Sequence, residues 1–391
     1  MSVLHPGVHT RRQVLTAAGA GAAALALPGS PRAKMPLGLP PAPYFYRFKL
    51  GSAECTVVSD GTLPLGNPSD SFVNIAKEEI ARELRDNFLP ASDAVLEQNV
   101  LVVNFGDRVV LFDTGMGSDK LFGPTTGKLP ATLRQAGIDP AAVDAVVMSH
   151  AHIDHCGGLV ADDGRQHFPN AQFFIGQPDF DYWTDDSKVP SNYPARANFL
   201  GQARKNLLPV KDRIHFNKDQ EQILPGVTAL AAPGHTVSHT IFMIEAGGRQ
   251  LCYVGDLAHH PVLLLERPRT HFLYDTDPAQ SAESRVRILD MLAANRIPLL
   301  AYHFAWPGLG HVAKAGEGFR YFPEPMHLVA ALKRRGRARG AGGPPRTPCR
   351  PSRGHPERER EPAIDVFHGR GAEARHRPCG SAGSAIQGRR D

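Results

Sequence analysis

The chain has 391 residues, of which 42% are hydrophobic, so it is long enough to bury one large core or two ordinary ones. The formal net charge is +5, but residues 333–391 hold 15 Lys and Arg against 6 Asp and Glu, a net charge of +9, which leaves −4 for the rest. The body is therefore mildly acidic, which argues against a basic nucleic-acid-binding protein. The five cysteines are scattered without a CxxC pair, which excludes a disulfide framework and favours small buried side chains.

The N-terminal segment has the pattern of an export signal. Arg11 and Arg12 precede a stretch rich in Ala, Gly and Leu that ends at Pro28 and is too short and too weakly apolar for a membrane anchor. Arg-Arg-x-Val-Leu resembles a twin-arginine signal, and an ordinary secretory signal with a chance arginine pair is the alternative. We predict an export signal over residues 1–33, a Pro-rich linker over residues 34–45, and a periplasmic or secreted protein.

The first half of the body alternates β-rich and helical patterns. AECTVVSDGTLPL (residues 53–65) predicts a strand with an Asp-Gly turn, and residues 99–115 predict a hairpin around a Gly-Asp turn. Helical spacing follows at residues 129–138. The apolar run at residues 142–150 predicts a strand that ends in histidines. AQFFIG is a further strand, and helical stretches should follow to about residue 208.

The second half continues in the same way. GVTALAAPGH predicts a strand, TIFMIEAGGRQLCYVGD a hairpin, residues 281–296 an amphipathic helix, and IPLLAYHF a buried strand. Polar residues recur at strand ends, where an α/β sandwich presents loops at one edge of its sheets. We therefore predict an α/β fold with one catalytic domain over residues 46–332.

The last part of the chain has a different composition. Residues 333–391 are rich in Arg, Gly and Pro with few aliphatic side chains, so they cannot bury enough apolar surface to fold. We predict a disordered tail, and the arginine bias suggests a frameshifted or read-through end. A basic arm for nucleic acid is the alternative, but the segment lacks interleaved aromatic residues.

SHAHIDHCGG, at residues 149–158, concentrates metal ligands in one loop. Neutral imidazole and carboxylate suit Zn²⁺ and similar divalent ions. His150 and His152 are two residues apart, so on an extended segment both point to one side, and Asp154 and His155 follow around the turn. A mononuclear catalytic site needs only three protein ligands, so four candidates in one loop predict two metal ions.

Three further residues complete the candidate set. His235 lies in APGHT after a predicted strand, Asp256 ends LCYVGD, and His303 ends IPLLAYHF. Each alone has an ordinary structural explanation, because a single buried histidine is usually satisfied by hydrogen bonds and Gly-Asp is a common turn. Together with the first loop they give seven candidate ligands at strand ends.

The order HxHxDH, then His, Asp and His, resembles the metallo-β-lactamase superfamily. Within it, LFGPTTGKL and PGLGHVAKAGEGFRYFP resemble the branch of the methyl parathion hydrolases, and the similarity extends to about residue 325. The resemblance implies an αββα sandwich that holds two divalent ions, most simply zinc. One ion would be held by His150, His152 and His235, the other by Asp154, His155 and His303, with Asp256 bridging both. The nucleophile implied is a hydroxide shared by the two ions, with Asp256 and Asp154 as the catalytic side chains.

The resemblance also implies residues around the ligands. Phe122, Trp183 and Phe199 would form an aromatic substrate pocket, although core packing is an alternative explanation for all three. Asp113, in LFDTG, would support the metal loop from behind. The implied protein acts on a small molecule, with no nucleic-acid or membrane partner, and could be a homodimer.

The predicted activity is hydrolysis of aryl phosphotriesters, and the alternative is a quorum-quenching type lactonase or an arylesterase with phosphotriesterase side activity. β-Lactam cleavage is disfavoured by Asp256, since β-lactamases generally lack a bridging aspartate. Glyoxalase-type thioesterases share the ligands, but no basic glutathione-binding segment is visible. A redox-sensing metal protein that uses Cys156 is the remaining alternative.

Overall fold

The computed structural model describes residues 44–327, and within them fourteen strands form two seven-stranded sheets. The predicted export signal, nearly all of the predicted linker and the predicted disordered tail lie outside the described residues. Their boundaries therefore stay predictions. No helix within residues 44–327 is long and apolar enough to cross a membrane.

The first sheet contains the strands in chain order, from β1 at one edge to β7 at the other. Strands β1 to β4 pair antiparallel, and β4 to β7 pair parallel. The strands are β1 (Phe45–Leu50), β2 (Ala53–Gly66), β3 (Ala94–Asn104), β4 (Val109–Phe112), β5 (Ala145–Val147), β6 (Gln172–Gly176) and β7 (Ile214–Asn217). The helices between them are α1 (Lys77–Asp86), α2 (Leu129–Gln135), α3 (Ile153–Cys156), α4 (Gln177–Thr184) and α5 (Arg196–Leu207).

The second sheet also follows chain order, from β8 to β14, and only its β11–β12 pair is parallel among the described strands. A parallel pair needs a crossover connection, and α6 (Pro278–Asn295) provides it. The strands are β8 (Gln222–Leu224), β9 (Val227–Ala231), β10 (Thr240–Ala246), β11 (Arg249–Gly255), β12 (Leu299–Ala301), β13 (Leu309–Ala315) and β14 (Gly318–Pro323).

Alternation along the strands of the second sheet creates two separate cores. In β10 and β11, Phe242 and Tyr253 belong to the core shared with the first sheet, and Phe112 of that sheet lies 5.8 and 5.4 Å from their ring centroids. Their neighbours Ile241 and Cys252 belong to the other core, with side chains of α1 and α6. Since successive strand residues face opposite sides, one sheet face packs on the other sheet and the opposite face on helices. The predicted αββα sandwich is confirmed.

One local prediction is wrong. No turn interrupts β2 at residues 60–61, because the strand continues through a bulge between Ser59 and Thr62. The bulge turns the Asp60 side chain inward, where it is fully buried and accepts backbone N–H bonds from Met116, Gly127 and Leu129. Asp-Gly therefore serves here to anchor the loop that follows β4.

Candidate metal centre and substrate pocket

All seven predicted ligands lie at or just beyond strand ends, on the same side of the sandwich. His150 and His152 follow β5, and Asp154 and His155 lie on the short helix α3 that begins directly after them. His235, Asp256 and His303 follow β9, β11 and β12 of the other sheet. The two sheets thus contribute to one site, and all seven side chains are buried.

The structure brings these residues into two groups that share one carboxylate. In each group the candidate ligand atoms lie within 4.8 Å of one another. The first group is His150, His152, His235 and Asp256; the second is Asp154, His155, His303 and Asp256. The Asp256 Oδ2 atom is 3.2 Å from the Nε2 atoms of both His155 and His235. The structure therefore brings the seven predicted ligands together in two groups with Asp256 in both, and their binding of metal ions stays a prediction.

The unsatisfied polar atoms of the site test whether metal ions fit. Within residues 44–327, the buried atoms that lack a hydrogen-bond partner include Nε2 of His150, His155 and His235, and Oδ1 of Asp256. Leaving such atoms unpaired in a protein interior costs about 1–3 kcal/mol each. The four residues belong to the two groups whose candidate ligand atoms lie within 4.8 Å of one another, and a cation bound there would satisfy them. The residues present therefore fit two divalent ions.

Asp113, predicted to support the metal loop, is fully buried behind it. Its carboxylate accepts hydrogen bonds from the Ser149 backbone N–H and hydroxyl, the Tyr253 hydroxyl and Nδ1 of His155, all at 2.7–2.8 Å. Because the Ser149 hydroxyl donates to Asp113, its oxygen accepts from Nδ1 of His150 at 3.0 Å. Both histidines thus carry their proton on Nδ1 and present a free Nε2 to the ions.

Two ligands of the second sheet are oriented in the same way. Nδ1 of His235 donates to Asp275 at 2.9 Å, and Nδ1 of His303 donates to the carbonyl oxygen of Glu97 at 2.8 Å. Although burial opposes ionisation, the hydrogen bond from His235 lowers the pKa of Asp275. Sequence reasoning missed Asp275, because nothing local distinguishes it from an ordinary turn aspartate.

Asp179 joins the two ligand-bearing loops. This buried carboxylate accepts from the Ala151 N–H at 3.1 Å and from the Thr236 hydroxyl at 2.8 Å, so it connects the residues next to His152 with those next to His235. Burial raises the pKa of Asp179 to about 6. Its location at the start of α4, far from both loops in sequence, left no signal to find it.

Burial and neighbouring charges lower the pKa of some ligand histidines and raise that of others. Burial, with the neighbouring histidines, lowers the pKa of His150 and His152 well below the usual value, which favours the neutral, metal-binding form. Against the effect of burial, carboxylates raise the pKa of His235 to about 8 and that of His303 to about 9. Although burial acts in the opposite sense, neighbouring histidines, with His155 first, lower the pKa of Asp256. Protons therefore compete with metal ions at this centre.

A cavity opens above the two groups. Its floor contains ligand side chains, and its walls are apolar and aromatic. The wall residues are Leu63, Leu65, Leu96, Phe122, Phe199, Phe272 and Tyr274, with His259 beside the ligands. Phe122 and Phe199, two of the three predicted pocket residues, line this cavity, and their contact with a substrate stays a prediction. Both pack on Tyr274, with ring centroids 5.9 Å apart in each pair.

Trp183 does not line this cavity, which corrects the predicted pocket. It is fully buried, and its ring packs behind His152 and Phe199, with centroids 4.8 and 5.7 Å away. The reason is its position on α4, which faces the core rather than the opening. Trp183 therefore supports a ligand and a wall residue without reaching the substrate space.

Sequence reasoning also missed His259. Its Nε2 atom lies 3.1 Å from Oδ2 of Asp256, and its ring stacks on Phe272 at 3.8 Å. Its position three residues after Asp256 was a usable signal, since the loop following that ligand must border the site.

Cys156 does not have the properties of a redox sensor. Its side chain is fully buried, with Sγ 3.4 Å from the carbonyl oxygen of Ala151. Burial raises the pKa of this thiol, so the reactive thiolate is disfavoured. Cys55 and Cys252 are buried as well, as predicted.

Comparisons with known proteins agree with this geometry. AidC, a dizinc quorum-quenching lactonase, is 29% identical, with a TM-score of 0.68 over 73% of this chain and 98% of that one. The hydrolase AbOPH has a TM-score of 0.68 at 24% identity, over 74% of this chain and 100% of that one, and this likeness indicates the fold alone. N-acyl homoserine lactonase AttM of Rhizobium johnstonii is 26% identical over 198 residues, 49% of this chain.

The probable metallo-hydrolase Rv2300c of Mycobacterium tuberculosis is 26% identical over 219 residues, 49% of this chain. The alignments with Rv2300c and AttM span 66% of those proteins, less than two thirds of their length.

The family model of the metallo-β-lactamase superfamily matches residues 94–299, more than half of the chain. The matched segment contains six of the seven ligands, and His303 follows a few residues later. The predicted enzyme class, a hydrolase of this superfamily, is confirmed, whereas the narrower resemblance to the methyl parathion hydrolases stays a prediction. Fold, ligand order and family model agree, and the chain belongs to the metallo-β-lactamase superfamily.

Proposed function

We propose that this protein is a dizinc hydrolase of small neutral esters, with lactones as its main substrates. The observation that carries the proposal is that five of the seven ligands form the floor of an apolar cavity: His152, Asp154, His235, Asp256 and His303. No Lys or Arg occurs among the described residues that line it. Such a lining favours an uncharged substrate with an apolar substituent, because a charged group would be desolvated there without a side-chain partner.

The comparisons support the lactone as the first choice of substrate. AidC is described as a dizinc quorum-quenching lactonase, and AttM as an N-acyl homoserine lactonase. Both descriptions favour the lactonase alternative over the phosphotriesterase that the sequence first suggested. A lactone has the required chemistry, with one polar carbonyl group to place over the ligands and an acyl chain for the apolar walls.

The chain's own residues prepare the site for hydrolysis. When bound, two zinc ions would supply a water of lowered pKa and a Lewis acid for the carbonyl oxygen of the substrate. Asp256 would hold both ions, since its carboxylate belongs to both ligand groups. The walls exclude bulk water and position the ring. Asp154 borders the cavity, so its carboxylate could accept the proton that the attacking water releases and pass it to the departing alkoxide oxygen.

An aryl phosphotriester is the second candidate, because one wall of the cavity is aromatic. Phe122, Phe199 and Phe272 all pack on Tyr274, with ring centroids 5.6–5.9 Å apart. Such a wall suits a flat nitrophenyl group. A phenolate leaving group also needs little help from a general acid.

Comparison of kcat/KM among three substrates tests the proposal. The zinc-loaded protein would be assayed with N-hexanoyl-homoserine lactone, phenyl acetate and methyl parathion, beside an Asp256→Ala control. We expect the lactone to be hydrolysed most efficiently and the control to be inactive. A higher kcat/KM for methyl parathion would favour the phosphotriesterase. Equal activity in the control would refute the metal-centred mechanism.

The location and oligomeric state are separate proposals. We propose export to the periplasm through the twin-arginine-like segment at residues 1–33. Replacement of Arg11 and Arg12 by lysine should block this export, and cell fractionation would then find the variant in the cytoplasm. We also propose a homodimer, which light scattering of the purified protein would test.

A further inference from the structure

Among the five ligand histidines, His152 is oriented by Tyr193, a residue that neither the sequence pattern nor the family resemblance singled out. Nε2 of His152 lies 3.1 Å from the hydroxyl oxygen of Tyr193, which is half-buried between α4 and α5. The same hydroxyl donates to the carbonyl oxygen of Tyr274 at 2.7 Å. Trp183 and Phe199 hold the Tyr193 ring in place, with ring centroids 5.1 and 5.6 Å away.

The bond to Tyr274 decides which histidine nitrogen carries the proton. A phenol has one proton, and a carbonyl oxygen can only accept, so the hydroxyl proton of Tyr193 points to Tyr274. The Tyr193 oxygen must then accept from His152, which places the imidazole proton on Nε2. The lone pair of Nδ1 is left free. His152 therefore presents Nδ1 to the metal group, whereas His150, His155, His235 and His303 hold their proton on Nδ1 and present Nε2.

We infer that Tyr193 is a positioning residue for one of the two metal ions only. Its second partner, Tyr274, directly precedes Asp275, the carboxylate that orients His235. His152 and His235 belong to the same ligand group. In the other group, His155 and His303 are oriented by Asp113 and by the Glu97 carbonyl, neither of which contacts Tyr193 among the hydrogen bonds of the described residues.

The inference rests on the proposed binding of two zinc ions, and a zinc titration tests both. Tyr193→Phe keeps the ring and its packing but removes the hydroxyl. The matched control is Tyr182→Phe, because Tyr182 packs on the same Trp183, at 5.2 Å, and has no hydrogen bond to a ligand among residues 44–327. Zinc affinities would be measured on the full-length protein by competition with a chromophoric chelator.

For Tyr193→Phe we expect one of the two zinc affinities to fall by about 10–100-fold, with the other unchanged within about twofold. Tyr182→Phe should bind both ions like the wild type. In the metal-free wild type, ¹⁵N NMR should show the neutral His152 ring with its proton on Nε2. In Tyr193→Phe it should show a mixture of the Nδ1-protonated and Nε2-protonated tautomers. A variant that had merely lost packing would not change this tautomer signal.

The result that overturns the inference is a Tyr193→Phe protein with two wild-type affinities, or with both lowered equally. Wild-type protein that fails to bind two zinc ions would overturn the proposed function, and the inference with it. Failure of the inference and failure of the proposed function are distinguishable, because zinc binding by the wild type alone tests the proposed function. Wild-type zinc binding combined with an Nδ1-protonated His152 would also contradict the inference.

Discussion

The metal centre and the aromatic part of the cavity wall above it are built in different ways. The ligands lie at strand ends or on the short helix directly after β5, and all of them are buried. Three of the aromatic wall residues come from connections between strands: Phe122 from the loop after β4, Phe199 from α5, and Tyr274 from the segment before α6. Strand ends are fixed by the sheets, whereas connections can differ without disturbing the sandwich.

This difference separates the reaction from the choice of substrate. Hydrogen bonds that the ligand histidines donate to Asp113 and Asp275 fix the ligand orientation, so most changes there should impair metal binding and chemistry together. The aromatic wall would contact a substrate through packing alone, so changes there should alter KM more than kcat. The following experiments test that separation, from the largest expected effect to the smallest.

The shared carboxylate is the most sensitive point of the metal centre. Asp256→Asn removes a charge from both ligand groups at once. We expect kcat/KM for the lactone to fall by about 10³-fold, equivalent to about 4 kcal/mol of transition-state stabilisation. Zinc content, measured by mass spectrometry, should fall below two ions per chain. Asp290→Asn, at an exposed pair with Lys314, is the control and should behave like the wild type. Full activity of Asp256→Asn would show that neither ion depends on this residue.

Asp113 tests whether the support behind the ligands matters as much as the ligands. In Asp113→Asn an NH₂ group would face donors, among them Nδ1 of His155 and the Tyr253 hydroxyl. We expect zinc affinity to fall by about 10–100-fold, as measured by chelator competition. KM measured at saturating zinc should change little. A large change in KM without a loss of affinity would contradict the separation.

A pair of aromatic variants tests the wall against the layer behind it. Phe122→Ala should raise KM for phenyl acetate by about 10-fold, roughly 1.4 kcal/mol, with little change in Tm, because Phe122 is only partly buried. Trp183→Phe should have the opposite effects, because it makes a fully buried ring smaller. We expect the free energy of unfolding to fall by about 1–3 kcal/mol, with KM nearly unchanged. Steady-state kinetics and calorimetry distinguish the two. Equal effects on KM would place Trp183 at the cavity after all.

The metal-free protein should have a pH-dependent stability. Against the effect of burial, Asp256 and its neighbours raise the pKa of His303 to about 9 and that of His235 to about 8. The stabilisation of these protonated rings is complete below the unfolded pKa of about 6.5 and is lost as the pH rises through 8 to 9. We expect Tm of chelator-treated protein to fall by about a few degrees between pH 6.5 and 9. Zinc-loaded protein, with neutral rings, should lack this fall, and identical profiles would refute the effect.

Much of the site could be predicted because its information is local. HxHxDH places four ligands within six residues, and His235, Asp256 and His303 each mark the end of an apolar run. The hairpin over residues 99–115 and the helix near residues 281–296 were also predicted, since turn residues and apolar spacing determine them. Asp60 was misread as part of a turn, because a bulge within a long strand and an Asp-Gly turn have the same local sequence.

What the sequence determined by itself is the chemistry of the centre: the seven donor side chains, their order and their strand-end positions. The tertiary structure alone decided which residues surround them. It placed Asp275, Tyr193 and His259 against the ligands, and Asp179 against residues beside them. It also put Trp183 behind the wall rather than in it. The physical reason is that ligand type is a property of single side chains. Orientation, burial and cavity lining instead depend on contacts between segments that are distant in the chain, and no local pattern encodes those contacts.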